Sequence, residues 1–191
     1  MKLILSMLVL LSGNAMAASY KIDPSHSVVD FSVKHMVISK VKGRFNKFEG
    51  SFDFNEKKNE VSQVDVKIDV SSIDTNDKKR DGHLMSPDFF DAAKNGNILF
   101  KADKVTVKKD SVVKITGTLT IKGISKPVTL DLTYGGSIVD PMGNEKVGLS
   151  MSGKINRMDW GMTWNKTLDK GGVAVGEEVA IEIEGEAQKN K

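Results

Sequence analysis

The sequence predicts an all-β protein: a closed antiparallel β-barrel of about eight strands with one short helical insert. Three observations carry that prediction. Apolar residues recur with a period of two along most of the chain, which puts them on one face of pleated strands. Polar or glycine-containing turns separate these runs at hairpin spacing. One stretch, residues 75–91, breaks the alternation with capping and helix-forming residues.

The alternation is explicit in each run. Val29, Phe31, Val33 and His35 share a face, as do Phe48, Gly50, Phe52 and Phe54. Within 63–70, Val64, Val66, Ile68 and Val70 alternate with polar residues. Ile98, Phe100 and Ala102 start a strand whose phase changes before Val105 and Val107, predicting a bulge or bend. Val113, Ile115, Gly117, Leu119 and Ile121 face one way and Lys114, Thr116, Thr118 and Thr120 the other. Val128, Leu130, Leu132 and Tyr134 repeat the pattern, then Val147, Leu149, Met151, Gly153 and Ile155, and lastly Val179, Ile181 and Ile183. Turns are predicted at 55–59, Lys122-Gly123, Gly135-Gly136, 140–144 and 169–172. No biased linker and no internal repeat divides the chain, so one domain accounts for it. A barrel removes the strand edges that an open sheet exposes; a two-sheet sandwich is the alternative. Periodicity does not say whether the interior is filled with side chains or holds a ligand.

Asp77 is placed to cap a helix from Lys78 to His83, and Ser86-Pro87-Asp88 reads as a second helix start. Phe89 and Phe90 then face the barrel or its rim, so the insert lies across one end as a lid or plug.

The N-terminus reads as an export signal. Lys2 precedes an apolar run at 3–11 that only Ser6 interrupts, and Ala15-Met16-Ala17 is a small-x-small cleavage site. The expected division is a signal peptide at 1–17, cut between Ala17 and Ala18, and a binding domain at 18–191. The apolar run is shorter than the about 20 residues that a membrane span needs, so no transmembrane span is expected in the mature chain. Cysteine is absent, which excludes disulfides, thiolate catalysis and thiolate metal sites. The net charge of +3 is spread among interleaved acids and bases, apart from Lys78-Lys79-Arg80, and nucleic acid is not expected as a partner.

No GxSxG, nucleotide loop or HExxH is present, and no catalytic residue is assigned. The three histidines, His26, His35 and His83, form no HxH or HxxxH pair, so no metal is expected. His26 and His83 are expected to tie the insert to the barrel by hydrogen bonds. Arg157, if buried, needs a partner; a salt bridge to Asp81 or Asp159 is expected, with contact to a ligand headgroup as the alternative. Two other readings stand beside a binding protein: an exported hydrolase or metal-dependent enzyme using the histidines, and a solid-cored structural or interaction barrel.

The run from Asp23-Pro24-Ser25-His26 through Phe31-Ser32-Val33-Lys34-His35-Met36, then Gly43-Arg44-Phe45, the 75–91 insert, Gly117-Thr118-Leu119-Thr120-Ile121-Lys122-Gly123 and Arg157-Met158-Asp159-Trp160-Gly161, resembles the YceI-like family in content and order. The resemblance implies a lipocalin-like barrel with an elongated apolar tunnel and a periplasmic location. It also implies a long-chain ligand, a polyisoprenoid of quinone or polyprenyl type, with no cofactor beyond such a lipid and no enzymatic activity. It further implies a homodimer. The lipid-facing candidates are Phe31, Val33, His35, Met36, Phe45, Phe48, Phe52, Phe89, Phe90, Phe100, Leu119, Met151, Trp160 and Trp164. His26, Arg80, Asp81, His83 and Arg157 are the candidate headgroup or structural polar residues.

Overall fold

The computed structural model describes residues 17–36, 38–169 and 171–190. The expected signal peptide, apart from Ala17, lies outside the described residues. Ten strands form one sheet: β1 (Ala18–His35), β2 (Ser39–Phe45), β3 (Phe48–Asn55), β4 (Glu60–Asp69), β5 (Ile73–Asp74), β6 (Asn97–Thr106), β7 (Val112–Ile121), β8 (Ile124–Val139), β9 (Glu145–Asn156) and β10 (Val175–Lys189). The single α-helix among the described residues, α1 (Lys78–Met85), lies between β5 and β6.

Eight strands close the barrel in the order β1-β3-β4-β6-β7-β8-β9-β10, and β10 returns to β1 through antiparallel pairs from Tyr20↔Lys189 to His35↔Val175. Strand β1 is long enough to serve two neighbours on its other side. Its start pairs with β3 (Ala18↔Phe54 to Lys21↔Ser51) and its end with β2 (Asp30↔Arg44 to His35↔Ser39). The register with β10 shifts between Asp23 and Val28, around Pro24, which has no N–H for the ladder. Strand β2 carries the two-residue β5 on its far side (Arg44↔Asp74, Phe45↔Ile73).

The alternating residues point inward as expected, and they make the core. Val64, Val66 and Ile68 are buried, and so is Val61 beyond Gln63. Gln63 has φ +51°, and the pairing of β3 with β4 shifts between Ser51 and Asp53. This bulge resets the phase of β4, and its partner β6 follows: Ala102 is buried, and the next buried side chain on that run is Val107. The phase change read in the β6 sequence is therefore real.

Lys122 (φ +51°) and Gly123 (φ +72°) form a two-residue hairpin loop closed by Ile121↔Ile124, the backbone that a type I′ turn requires. At 140–144 the Asp140 carboxylate accepts the N–H groups of Met142 and Asn144. Gly171 donates to the Leu168 carbonyl, and Leu168 to that of Gly172. Gly135-Gly136 is not a turn: β8 runs through it to Val139, with a register shift between Tyr134 and Gly136 and φ +118° at Gly136. A glycine pair supplies the positive φ that a bulge needs as readily as the one a turn needs.

Asp77 caps α1, accepting from the N–H groups of Lys79 and Arg80, and the helix runs to Met85, two residues past His83. The second helix does not form. Ser86 is the C-cap of α1, donating its N–H to the His83 carbonyl, and residues 87–90 are a turn. The N–H groups of Phe90 and Ala92 return to the carbonyls of Leu84 and Met85, satisfying the end of α1 with the chain that was expected to start a new helix.

Candidate ligand cavity

The inward faces do not fill the barrel. One cavity of about 150 Å³ occupies the end nearest α1. Its wall comes from the last turns of β1 and β2 (Phe31, Val33, Phe45), from the starts of β6 and β10, and from Leu84, Phe89 and Phe90 of the insert. A second cavity of about 70 Å³ lies toward the other end, walled by Ile22, Phe48, Phe52, Val61, Ile115 and Leu132 among others. Val29, Val66, Met151 and Ile183 line both, so the two lobes lie end to end along the barrel interior and meet at a neck formed by these four side chains. Polar side chains enter the lining at few places: Ser27 and Glu186 in the smaller lobe, Asp30 and Arg157 in the larger.

Glycine makes part of this shape. A Cβ on Gly117 would come within 2.5 Å of the Lys101 carbonyl oxygen and 2.7 Å of the Phe100 ring, and one on Gly43 within 2.5 Å of Phe31 Cζ. Both rings line the larger lobe, and the missing side chains let them lie flat against the neighbouring strand.

Arg157 is 2% exposed. Its Nε donates to the Gly176 carbonyl at 2.9 Å, Nη2 to the Val175 carbonyl at 3.4 Å, and Nη1 to the Met162 carbonyl. The guanidinium carbon stands 6.0 Å from the centroid of Phe89, a cation–π distance. Burial pushes the pKa of Arg157 down, but an arginine stays charged. The expected salt bridge is absent: among the described residues no carboxylate lies within 4 Å of this guanidinium. Asp81 is buried but accepts instead from the Thr75 N–H (2.8 Å) and hydroxyl (2.7 Å), and Asp159 is exposed. Main-chain carbonyls at the start of β10 and at Met162, in the segment after β9, supply what a carboxylate was expected to supply.

Of the lipid-facing candidates, Phe31, Val33, Phe45, Phe89, Phe90, Phe100, Leu119 and Met151 line the larger lobe, and Phe48, Phe52 and again Met151 the smaller. Four do not line the passage. His35 is the last residue of β1, opposite Val175, and lines neither lobe, and Met36 is exposed in the hairpin tip. Trp160 is buried behind the wall with its indole N–H donating to the Leu119 carbonyl at 3.3 Å. Trp164 packs against Phe89 and His83 outside the lobe, with ring centroids 5.5 and 4.8 Å away. Leu84 and Met162 also line the larger lobe but lie off any alternating run and carry no sequence signal, whereas Val66, Ile181 and Ile183 line it on faces that the alternation does mark.

Among the polar candidates, Arg157 alone reaches the passage. Arg80 donates to the Thr75 hydroxyl and carbonyl and so braces the insert from within. His83 Nε2 is 2.9 Å from Asp88 Oδ2. His26 pairs with Asp23 at 2.8 Å, next to Glu186 on the smaller-lobe side, and does not tie the insert to the barrel. Asp23, His26 and Glu186 bring their ligand atoms within 4.8 Å of one another, but Lys146 Nζ stands 3.0 Å from Glu186 and 3.5 Å from Asp23 and already supplies the positive charge.

A closed eight-strand antiparallel barrel with an internal apolar passage and a helix across one end defines a lipocalin-like fold. The chain belongs to the YceI-like domain family, whose model matches residues 20–187. It is 38% identical over 187 residues to Protein YceI of Salmonella newport, covering 97% of this chain and 95% of the relative. The crystal structure of the Campylobacter jejuni YceI protein superposes with a TM-score of 0.71 at 36% identity, covering 83% of this chain and 90% of that one. A polyisoprenoid-binding domain from Saccharophagus degradans shares the fold with a TM-score of 0.65 at 14% identity, covering 92% of this chain and all of that one.

Proposed function

We propose that the protein is an exported, periplasmic carrier that holds one long-chain lipid of polyisoprenoid type, a quinone or a polyprenyl derivative, in the barrel passage. The observation that carries this reading is the end-to-end placement of two almost wholly apolar lobes that share Val29, Val66, Met151 and Ile183 at their boundary, where movement of the flexible Met151 side chain would join them. A compact apolar ligand needs one pocket; a chain needs a passage. Branched aliphatic and aromatic walls suit the methyl-branched isoprene repeat, and Met151 at the neck is the most adaptable side chain there. Burying a few hundred Å² of lipid tail yields on the order of 10 kcal/mol at about 25 cal/mol/Å², part of which the ordering of the chain cancels. Affinity therefore needs no catalytic group. Arg157 gives the larger lobe a fixed positive charge, suited to a carbonyl or phosphate headgroup. The fold shared with a polyisoprenoid-binding domain supports the ligand class. Ala15-Met16-Ala17 supports export.

Organic extraction of the protein purified from its own host, followed by mass spectrometry, tests the reading. A stoichiometric polyprenyl lipid or quinone is expected. Protein that comes out empty and takes up no added polyprenyl lipid would contradict it.

A further inference from the structure

The most exposed large apolar side chains lie at hairpin tips on opposite ends of the barrel. Ile38, 88% exposed, is in the β1–β2 tip beside Met36, and Met142, 84% exposed, is in the β8–β9 tip with Ile138 and Val139 nearby. Their charge settings differ. Between Asp30 and Glu49 the chain holds no acid and five cations: Lys34, Lys40, Lys42, Arg44 and Lys47. From Ser137 to Glu145 it holds Asp140 and Glu145 and no cation. On the β1–β2 hairpin Lys34 stands directly opposite Lys40, with Lys42 two residues further along the same face. Among the described residues these three lysines have no carboxylate within 4 Å. Like charges facing each other across a ladder are unfavourable unless something else neutralises them.

The tip also adjoins the passage. Val33 and Val175 line the larger lobe, and three residues on from Val33 the Met36 N–H donates to the Ala174 carbonyl at 2.9 Å. That bond binds the tip to the loop at 166–174, which adds the exposed Val173 and Lys166 and one exposed acid, Asp169. We infer that the β1–β2 tip, with this loop beside it, docks on an anionic lipid bilayer and sets the larger-lobe end of the barrel against it. Ile38 and Met36 enter the interface, and Lys34, Lys40 and Lys42 meet the headgroups. An apolar tip flanked by lysines free of carboxylates is the composition that interfacial binding demands; beside the β8–β9 tip, Lys146 and Lys189 are paired with carboxylates and Lys109 lies back along the hairpin at Gly136. The docking rests on the chemistry of the hairpin and does not depend on which lipid the passage holds.

Co-sedimentation with vesicles tests it, using purified chain whose N-terminus has been fixed by intact mass. Wild type is expected to pellet with equimolar phosphatidylcholine and phosphatidylglycerol, to stay in solution with phosphatidylcholine alone, and to detach as salt rises. Ile38→Asp, and separately Lys34→Glu with Lys40→Glu, should each lower partitioning about tenfold or more, since each lysine near an anionic surface contributes several-fold. Met142→Asp should partition like wild type. Unchanged far-UV circular dichroism and lipid content in the variants separate docking from folding and from lipid carriage. No pelleting with either vesicle, or equal loss with Met142→Asp, overturns the inference. So does an Ile38→Asp variant that changes the sedimentation coefficient of vesicle-free protein while leaving vesicle binding intact, because the tip is then a contact between copies.

Discussion

Arg157 is the residue whose setting departs furthest from the sequence-based expectation. A buried guanidinium calls for a carboxylate, yet here three carbonyls hold it. Their geometry is matched to a planar fork, so Arg157→Lys should destabilise the protein by about 1–3 kcal/mol, read as a lower melting temperature; an unchanged melt would mean that the cradle is not structural. Gly117→Ala should cost a similar about 1–3 kcal/mol, because its Cβ meets the Lys101 carbonyl oxygen, which belongs to a strand and cannot yield cheaply. Gly148→Ala, with open space around it, is the control and should be near neutral.

Asp23 makes a pH prediction. The Ser25 hydroxyl and then His26 hold its carboxyl well below the usual carboxylate range. The folded state thus favours the charged form. That stabilisation is complete above the ordinary pKa of about 4 and is lost as pH falls through the depressed value. Asp23→Asn should therefore lower the melting temperature near pH 7, and the gap to wild type should narrow steadily in acid. A gap that widens in acid would reverse the sign and refute the assignment.

At this scale the strand phenylalanines of the passage, such as Phe31, Phe48, Phe52 and Phe100, were legible, because alternation fixes which face a strand residue takes. Position along the barrel axis is not encoded by alternation. His35 shares the face of Phe31 and Val33 but, as the last residue of β1, does not line the lobe, and Trp160 was read as lipid-facing when its indole is bonded behind the wall.

Among the elements, the insert is the most informative. Its start was readable from Asp77, and the cap is where the residue type puts it. Its end was not, because Ser86-Pro87 suits a helix start by local chemistry, while the carbonyls at the end of α1 needed donors and took the following turn. The same competition turned Gly135-Gly136 into a bulge. Both rings line the lobe, but Phe89 is buried against Trp164, His83 and Arg157, whereas Phe90 is half-buried and meets Phe45 edge-on at 5.9 Å. Phe89→Ala should therefore behave as the loss of a clamp, lowering stability by about 3–5 kcal/mol. Phe90→Ala should behave as the loosening of a lid, with faster release of a fluorescent polyene lipid in stopped flow and a smaller fall in melting temperature. If Phe90→Ala leaves release unaltered while stability falls, the insert is a clamp throughout.

For the whole molecule, closure was legible and the passage was not. Eight amphipathic strands favour a barrel over a two-sheet sandwich because closure removes the edges a sheet exposes, but the same alternation describes a packed interior and a hollow one. What decides between them is the sum of side-chain volumes around the axis, set by placements such as Gly117 beside Phe100 and by the bulge at Gln63, which alternation alone does not disclose.

Carriage of a long-chain lipid requires one chain to thread the neck between the two lobes. Native mass spectrometry of wild type and of Met151→Trp, both prepared from the same host, tests it most directly. Met151 is half-buried at the neck, so the larger ring should block the passage and leave the fold intact, as unchanged far-UV circular dichroism would verify. Wild type should carry the mass of one long-chain lipid and Met151→Trp should carry none, or only a shorter chain confined to the larger lobe. The same lipid at the same occupancy in both proteins would contradict the account.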